Sequence, residues 1–299
     1  MTHVATLIGS PNALVPAALA RARAALPGAS GPQPLGPGAA DIPFTLSMGV
    51  DQRAIALRAI AERLRGLIAG VDVVVQPQAN RRKKLFVADM DSTMIGQECI
   101  DELADTVGMK AHVAAITARA MRGDVAFEPA LRERVALLKG LPVKTIDEVI
   151  AKRITLTPGG RTLVATMRAN GALTCMVSGG FTLFAGPIAN KIGFDESYAN
   201  TLGLNGDKLA GSVKEPIFGR EAKRATLIEL RTRLKLAKDD TMVAGDGAND
   251  MDMIAEAGLG VAYHAKPKVA AAAPARIDHG DLTALLYVQG YKQDDFVEV

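Results

Sequence analysis

The 299-residue sequence contains no Trp, and aromatic residues make up only 4% of it. Proteins that hold single-stranded nucleic acid stack bases on aromatic side chains, so this scarcity argues against that class. Neither sign of charge is in excess: 35 Lys and Arg against 32 Asp and Glu leave a net +3. Polyanions and anionic membranes call for a basic stripe; the expectation is no nucleic-acid and no membrane partner. Cysteine is limited to Cys99 and Cys175. Two residues without metal-like spacing make no disulfide framework, so a reduced, cytoplasmic compartment is the simplest inference. No apolar run approaches membrane-spanning length. Met1-Thr2-His3-Val4 lacks a basic region followed by an apolar core, so no signal peptide is expected. What remains is an ordinary globular composition, 48% hydrophobic and 22% charged, in a chain long enough for one large or two to three smaller domains.

The densest chemistry lies at Lys84-Leu85-Phe86-Val87-Ala88-Asp89-Met90-Asp91-Ser92-Thr93. An apolar run without polar alternation predicts a strand buried on both faces, as in a parallel sheet. Ligand sites in such sheets lie beyond the carboxyl ends of the strands, where Asp89 and Asp91 fall; on a regular strand the two would share a face. Paired carboxylates suit a magnesium ion, and an aspartate also serves as a nucleophile that becomes an aspartyl-phosphate. Taken alone, the stretch is equally compatible with an Asp-rich turn.

Ahead of it, residues 4–9 read as a strand, 14–26 as a helix, and 27–42, rich in Gly and Pro, as loop. A short strand is expected at 44–48. Leu57, Ile60, Leu64 and Leu67 mark a helix face, and 71–75 a further strand. Residues 1–80 are therefore read as a separate α+β domain. Residues 77–84 are a polar, basic linker, with Arg81-Arg82-Lys83-Lys84 taken as solvated.

After the aspartates only helices are expected, over residues 99–155: one through Ile100, Leu103 and Val107, one through Phe127, Leu131, Val135 and Leu138, one through Ile146, Val149 and Ile150. A helical insertion after the first strand of a sheet behaves as a cap over the site. Residues 81–98 and 156–299 form the core around the sheet. Thr157-Pro158 is expected to open a helix that ends at Gly171. Strands follow at 173–177, 241–244, 259–263 and 276–278, with a helix over 219–235. Asn205-Gly206 predicts a hairpin between 198–204 and 208–213.

Three of the strands end in polar clusters: Asp89 to Thr93, Ser178-Gly179-Gly180, and Gly245-Asp246-Gly247-Ala248-Asn249-Asp250. Parallel strands bring these to one edge. The first supplies a nucleophile and metal ligands, the second a hydroxyl and amides for phosphate oxygens, the third carboxylates that complete a metal shell. Lys223 could neutralise phosphate charge, though by spacing alone it is one lysine among many. By spacing alone, too, Glu98 is a helix-dipole partner, Arg134 a solvated helix residue, and Met121 and Phe127 core residues. His3, His112, His264 and His279 are scattered and receive no catalytic role.

These four elements, Asp89-Met90-Asp91-Ser92-Thr93, Ser178, Lys223 and Gly245 to Asp250, resemble in order the four motifs of the haloacid dehalogenase superfamily, over roughly residues 83–290. Within it the resemblance is to the phosphoserine phosphatases. It rests on Asp89 through Glu98, Met121-Arg122-Gly123 followed by Phe127, Arg134, Thr157-Pro158-Gly159, Ser178-Gly179-Gly180-Phe181, and the Asn205-Gly206 hairpin. The resemblance implies a Rossmann-like α/β core with a parallel sheet and a small helical cap. It implies Mg2+-dependent hydrolysis of O-phospho-L-serine through an aspartyl-phosphate, the last step of serine biosynthesis. Asp89 would attack phosphorus; Asp91 would protonate the leaving group and then activate water. The metal would be held by Asp89, the Asp91 main-chain carbonyl and Asp246, with Asp250 in support. Ser178, Gly179 and Lys223 would hold phosphate, with Asn249 beside it. Glu98 and Arg134 would read the amino and carboxylate groups, and Met121 and Phe127 would shield them. Ion-pumping ATPases that resemble this set carry Thr where Asp91 stands. The N-terminal domain loosely resembles ACT-like regulatory modules, with a homodimer through it as the corresponding expectation. The alternatives are a phosphatase for another small phosphomonoester and a non-catalytic regulator on the same scaffold.

Overall fold

A computed structural model describes residues 2–10, 13–47, 50–122 and 124–299, without the side chains of Val50, Asp51, Met121 and Arg122. The N-terminal unit runs β1 (His3–Gly9), α1 (Pro16–Ala24), β2 (Gln33–Gly36), β3 (Ala39–Phe44), α2 (Val50–Leu67) and β4 (Val71–Pro77). Its antiparallel sheet has the order β2-β3-β1-β4, the split βαβ arrangement of ferredoxin-like units. Alternation along the strands divides two environments. Ala5, Leu7, Ile42 and Val73 pack under α1 and α2, while Ile8, Leu35, Ala39 and Val74 join the core of the rest of the chain.

The loop expected at 27–42 is corrected here, because β2 and most of β3 lie within it. Its Pro and Gly residues sit where sheets tolerate them. Pro34 lies on the edge strand, and just beyond the stretch Pro43 offers its carbonyl back to the Ser30 N–H at 2.9 Å. At Gly38, whose carbonyl takes the Gly9 N–H at 2.8 Å, a Cβ would stand 2.1 Å from the Gly9 oxygen. The strand expected at 44–48 ends at Phe44, and Met48 lies outside the described residues.

The solvated-linker reading of 81–84 holds for the exposed Arg82 and Lys84 but is overturned for Arg81 and Lys83. The Arg81 guanidinium forks onto Asp41 at 2.7 and 3.0 Å and reaches the Val288 carbonyl at 3.1 Å, with both side chains largely buried. Lys83 is buried and donates to the Asp239 carbonyl at 2.7 Å, and Arg82 lies over the Tyr291 ring. Nearby, Asp72 accepts the backbone N–H groups of Asp278 (2.6 Å) and Gly280 (2.7 Å). Hydrogen bonds to charged groups contribute about 1.5–3 kcal/mol each. The N-terminal unit is thus docked on the core through bonded, buried charge.

The rest begins with β5 (Leu85–Asp89), then α3 (Cys99–Asp105), α4 (Lys110–Arg122), α5 (Phe127–Ala136) and α6 (Lys144–Lys152). Next come α7 (Gly160–Ala169), β6 (Leu173–Phe181), α8 (Thr182–Ile192), β7 (Glu196–Asn200), β8 (Leu202–Asn205), β9 (Lys208–Val213) and α9 (Arg220–Arg233). The chain closes with β10 (Thr241–Gly245), α10 (Met251–Glu256), β11 (Leu259–Tyr263), α11 (Pro267–Ala272), β12 (Ala275–Ile277) and α12 (Ala284–Val288). A six-stranded sheet orders them β12-β11-β10-β5-β6-β7, and its pairings are all parallel. Leu85 through Ala88 are fully buried. Phe86 and Ala88 face the layer containing Leu163 and Phe184 of α7 and α8; Leu85 and Val87 face Leu227 and Met253 of α9 and α10. The chain steps to one side of β5 for β6 and β7, then to the other for β10, which makes the end of β5 a topological switch point.

Three boundaries differ from expectation. Helix α4 was not foreseen, and Val107, assigned to the preceding helix, is exposed past its end. Thr157-Pro158 does not open α7: Gly159 at φ +77 precedes a start at Gly160. The Pro158 carbonyl takes the Leu282 N–H at 3.1 Å, and a Cβ at Gly159 would sit 2.6 Å from the Thr283 nitrogen. The segment is a turn locked onto the 281–283 loop. The strand expected at 198–204 is split, with β7 in the main sheet and only β8 pairing with β9.

Candidate active site

Strand β5 ends on Asp89, and the chain leaves it in a wound turn in which Asp91 is extended (φ −67, ψ 136) and Ser92 left-handed (φ +56). Because the turn interrupts the strand, the regular alternation expected of Asp89 and Asp91 does not apply. Both side chains still line one cavity of about 380 Å³, with Glu98, Phe127, Arg134, Ser178, Gly179, Asp246 and Asn249. Core strand ends form one wall and the cap helices α3, α4 and α5 the other.

Within the core wall the charges are tightly bonded. Asp89 Oδ1 accepts the Met90 N–H at 2.7 Å and lies 2.6 Å from Lys223 Nζ. Lys223, fully buried on α9, also meets Asp250 Oδ1 at 2.8 Å. Asp250 Oδ2 takes the Gly247 N–H at 3.1 Å. Lys223 and Asp250 therefore stand behind the cavity wall, bracing Asp89 from below. Asp246, just past β10, faces Lys266 Nζ at 3.4 Å. Asp91 Oδ1 accepts the Cys99 N–H at 3.4 Å.

Burial raises the proton affinity of these carboxylates. It pushes Asp89 well up, with Asp250 adding to it against the pull of Lys223. It pushes Asp91 up to about 7, helped by the neighbouring Glu98, and Asp246 up to about 6, opposed by Lys266. For Lys223, burial acts downward, but Asp250 and Asp89 outweigh it and hold the ammonium above its ordinary range. Asp89, Asp246 and Asp250 place one oxygen each within 4.8 Å of one another, all buried. A hard, all-oxygen donor set short of positive charge fits a divalent cation of the magnesium type.

The cap wall carries the recognition groups. Glu98, at the N-terminus of α3, accepts the Ser92 hydroxyl at 2.7 Å. Arg134 on α5 is 8% exposed; its Nε donates to the Ala130 carbonyl and one terminal nitrogen to Thr117 Oγ1, each at 3.1 Å. Burial lowers its pKa, against the pull of Asp101, Glu98 and Asp91. Among the described residues the guanidinium forms no direct ion pair, so a buried cation faces the cavity with no carboxylate bonded to it. Phe127, at the start of α5, lays its ring against two glycines: a Cβ on Gly179 or Gly219 would come within 3.3 Å of it. Ser178 Oγ accepts the Gly180 N–H at 2.9 Å. Met121 is on α4, and its side chain lies outside the described residues.

Several lining residues escaped the sequence reading. Thr117 belongs to α4, whose buried Val113 and Ile116 gave a weak helical spacing diluted by alanine. Lys266 and Arg220 are surface-type cations that only the fold brings to the rim. Asn200, which does not line the cavity but is buried behind it at the end of β7, likewise has nothing local to single it out.

Residues 86–255 match the haloacid dehalogenase-like hydrolases. The chain belongs to this family. Within it, the relatives it resembles include several phosphoserine phosphatases. A probable phosphoserine phosphatase of Schizosaccharomyces pombe is 46% identical over 211 residues, 70% of each chain. A structure described as a phospho-aspartyl intermediate analogue of phosphoserine phosphatase superposes with a TM-score of 0.65 at 38% identity, over 69% of this chain and 98% of that one. A haloacid dehalogenase family hydrolase from Salmonella enterica serovar Typhi aligns over 96% of this chain and 98% of its own, with a TM-score of 0.83 at 26% identity.

Proposed function

We propose that this chain is a phosphoserine phosphatase that hydrolyses O-phospho-L-serine to L-serine and phosphate through an aspartyl-phosphate on Asp89. The observation that carries the substrate reading is Arg134: a buried guanidinium, without an ion-pair partner among the described residues, in the same cavity as the carboxylate cluster. A phosphomonoester with a carboxylate at its other end satisfies both walls at once. Glu98 offers an anion for the substrate ammonium, and Arg134 a planar fork for its carboxylate.

Asp89 Oδ1 is already held by the Met90 N–H and Lys223, so Oδ2 is the oxygen that attacks. It bonds to phosphorus as the bond to the serine oxygen breaks. The leaving oxygen takes the proton of the Asp91 carboxyl group. Water then attacks the phosphorus of the acyl phosphate and gives its proton to Asp91, releasing phosphate and restoring Asp89. The Ser178 hydroxyl, whose oxygen accepts the Gly180 N–H and whose proton is free to donate, and the Gly179 amide offer donors to the phosphoryl oxygens, and Phe127 shuts water out from the cap side. Asp89, the Asp91 main-chain carbonyl and Asp246, with Asp250 in support, would hold Mg2+, which when bound supplies positive charge to the phosphoryl oxygens.

Replacing Arg134 with Ala is expected to cut kcat/KM for phosphoserine by roughly 10²–10³-fold, because an unpaired buried charge costs ~3–5 kcal/mol. An aryl phosphate, with no carboxylate to lose, is expected to change little. Equal losses on both substrates would assign Arg134 to the fold or to the phosphate end of the cavity and sink the substrate reading.

A further inference from the structure

We propose that Asn200 is a positioning residue for phosphoryl transfer, one that joins the phosphate-facing end of β6 and the segment entering α9 into a single floor. The proposal rests on the phosphatase reading of the site, though not on phosphoserine as its substrate.

Asn200 is 2% exposed, and its amide is fully engaged with two pieces of backbone. Nδ2 donates to the Gly179 carbonyl and to the Phe218 carbonyl, each at 2.9 Å, and Oδ1 accepts the Phe218 N–H at 2.6 Å. Only an amide side chain of this length gives donors and an acceptor at once; a carboxylate would turn an oxygen toward both carbonyls. The two segments come from distant parts of the chain, and no other side-chain bond joins them among the described residues.

What they carry explains the consequence. Gly179 follows Ser178 at the cavity. Phe218 leads into Gly219, whose carbonyl takes the Lys223 N–H at 3.0 Å in the first turn of α9, and Lys223 braces the attacking carboxylate. Asn200 therefore sets the phosphate-facing end of β6 relative to the helix whose lysine braces the nucleophile. It also keeps Gly179 and Gly219 together, so that the Phe127 ring packs on both. Misplacement of reacting groups by about 1 Å costs roughly 10²-fold in rate.

The test compares Asn200→Asp and Asn200→Ala with the unaltered protein, with Mg2+ present and well below the melting temperature of each. Asn200→Asp keeps the shape and the acceptor for Phe218, so it decides the matter where Asn200→Ala does not fold. Both are expected to lose roughly 10²-fold in kcat/KM, equally for phosphoserine and an aryl phosphate, unlike Arg134→Ala. Calorimetric binding of inorganic phosphate is expected to weaken in parallel, a readout independent of turnover. A folded Asn200→Asp with a lowered melting temperature but unchanged phosphate affinity and turnover would reduce Asn200 to a structural residue and overturn the proposal. Failure of the unaltered protein on phosphoserine alone would contradict the substrate reading and leave the aryl phosphate and phosphate-binding comparisons intact.

Discussion

Asp89→Asn is expected to abolish turnover and the phosphoenzyme together, a loss on the order of 10⁶-fold, the scale on which removal of a covalent nucleophile is felt. The amide is isosteric, so the turn after β5 should keep its shape, although the ion pair to Lys223 and one charge of the metal-holding set go with the carboxylate. An Asn oxygen still accepts the Met90 N–H, and Lys223 keeps Asp250 at 2.8 Å. What disappears is the anionic oxygen that bonds to phosphorus. Acid quenching with labelled substrate should then show no protein-bound phosphate, while the melting curve stays cooperative. Near-normal activity, with mass spectrometry excluding reversion of Asn to Asp, would remove Asp89 from the mechanism.

Asp91→Asn should separate the two halves of the reaction. An amide still accepts the Cys99 N–H but has no proton to give a serine alkoxide. Proton transfer of this kind contributes ~10²–10⁴-fold, and phosphoserine turnover should fall by that much. An aryl phosphate has a good leaving group and needs no proton at that step. With it, the variant should still form the phosphoenzyme and then stall, because Asp91 is also the base that activates water. Accumulated phosphoenzyme after acid quench is the expected sign. Equal slowing on both substrates with none accumulating would assign Asp91 to shaping the turn after β5.

The parts of this site that could be read from sequence are those where one residue type in one local pattern decides the outcome. Leu85 to Ala88 form an unbroken apolar run and are fully buried in the centre of a parallel sheet. The polar clusters at the C-terminal ends of β5, β6 and β10 follow from the same rule and meet at one edge. What could not be read depends on partners far along the chain. Gly and Pro at 27–42 look like loop until β1 pairs with β3 and the Gly9 N–H bonds the Gly38 carbonyl. Arg81 looks solvated until Asp41 and the end of α12 close over it. Thr157-Pro158 has the residues of a helix start, but the Leu282 N–H claims the Pro158 carbonyl. Asn200 carries no local signal, since its three bonds reach Gly179 and Phe218.

The central claim, metal-dependent hydrolysis of phosphoserine, is tested most directly by phosphate release from a short panel with Mg2+ and with a chelator. The panel needs O-phospho-L-serine, phosphoethanolamine, which lacks the carboxylate, 3-phosphoglycerate, which lacks the amine, and an aryl phosphate. The arrangement of Asp89, Glu98 and Arg134 predicts the highest kcat/KM for phosphoserine and loss of all activity on chelation. Phosphoethanolamine turned over as well as phosphoserine, or no Mg2+-dependent release from any of the four, would contradict it.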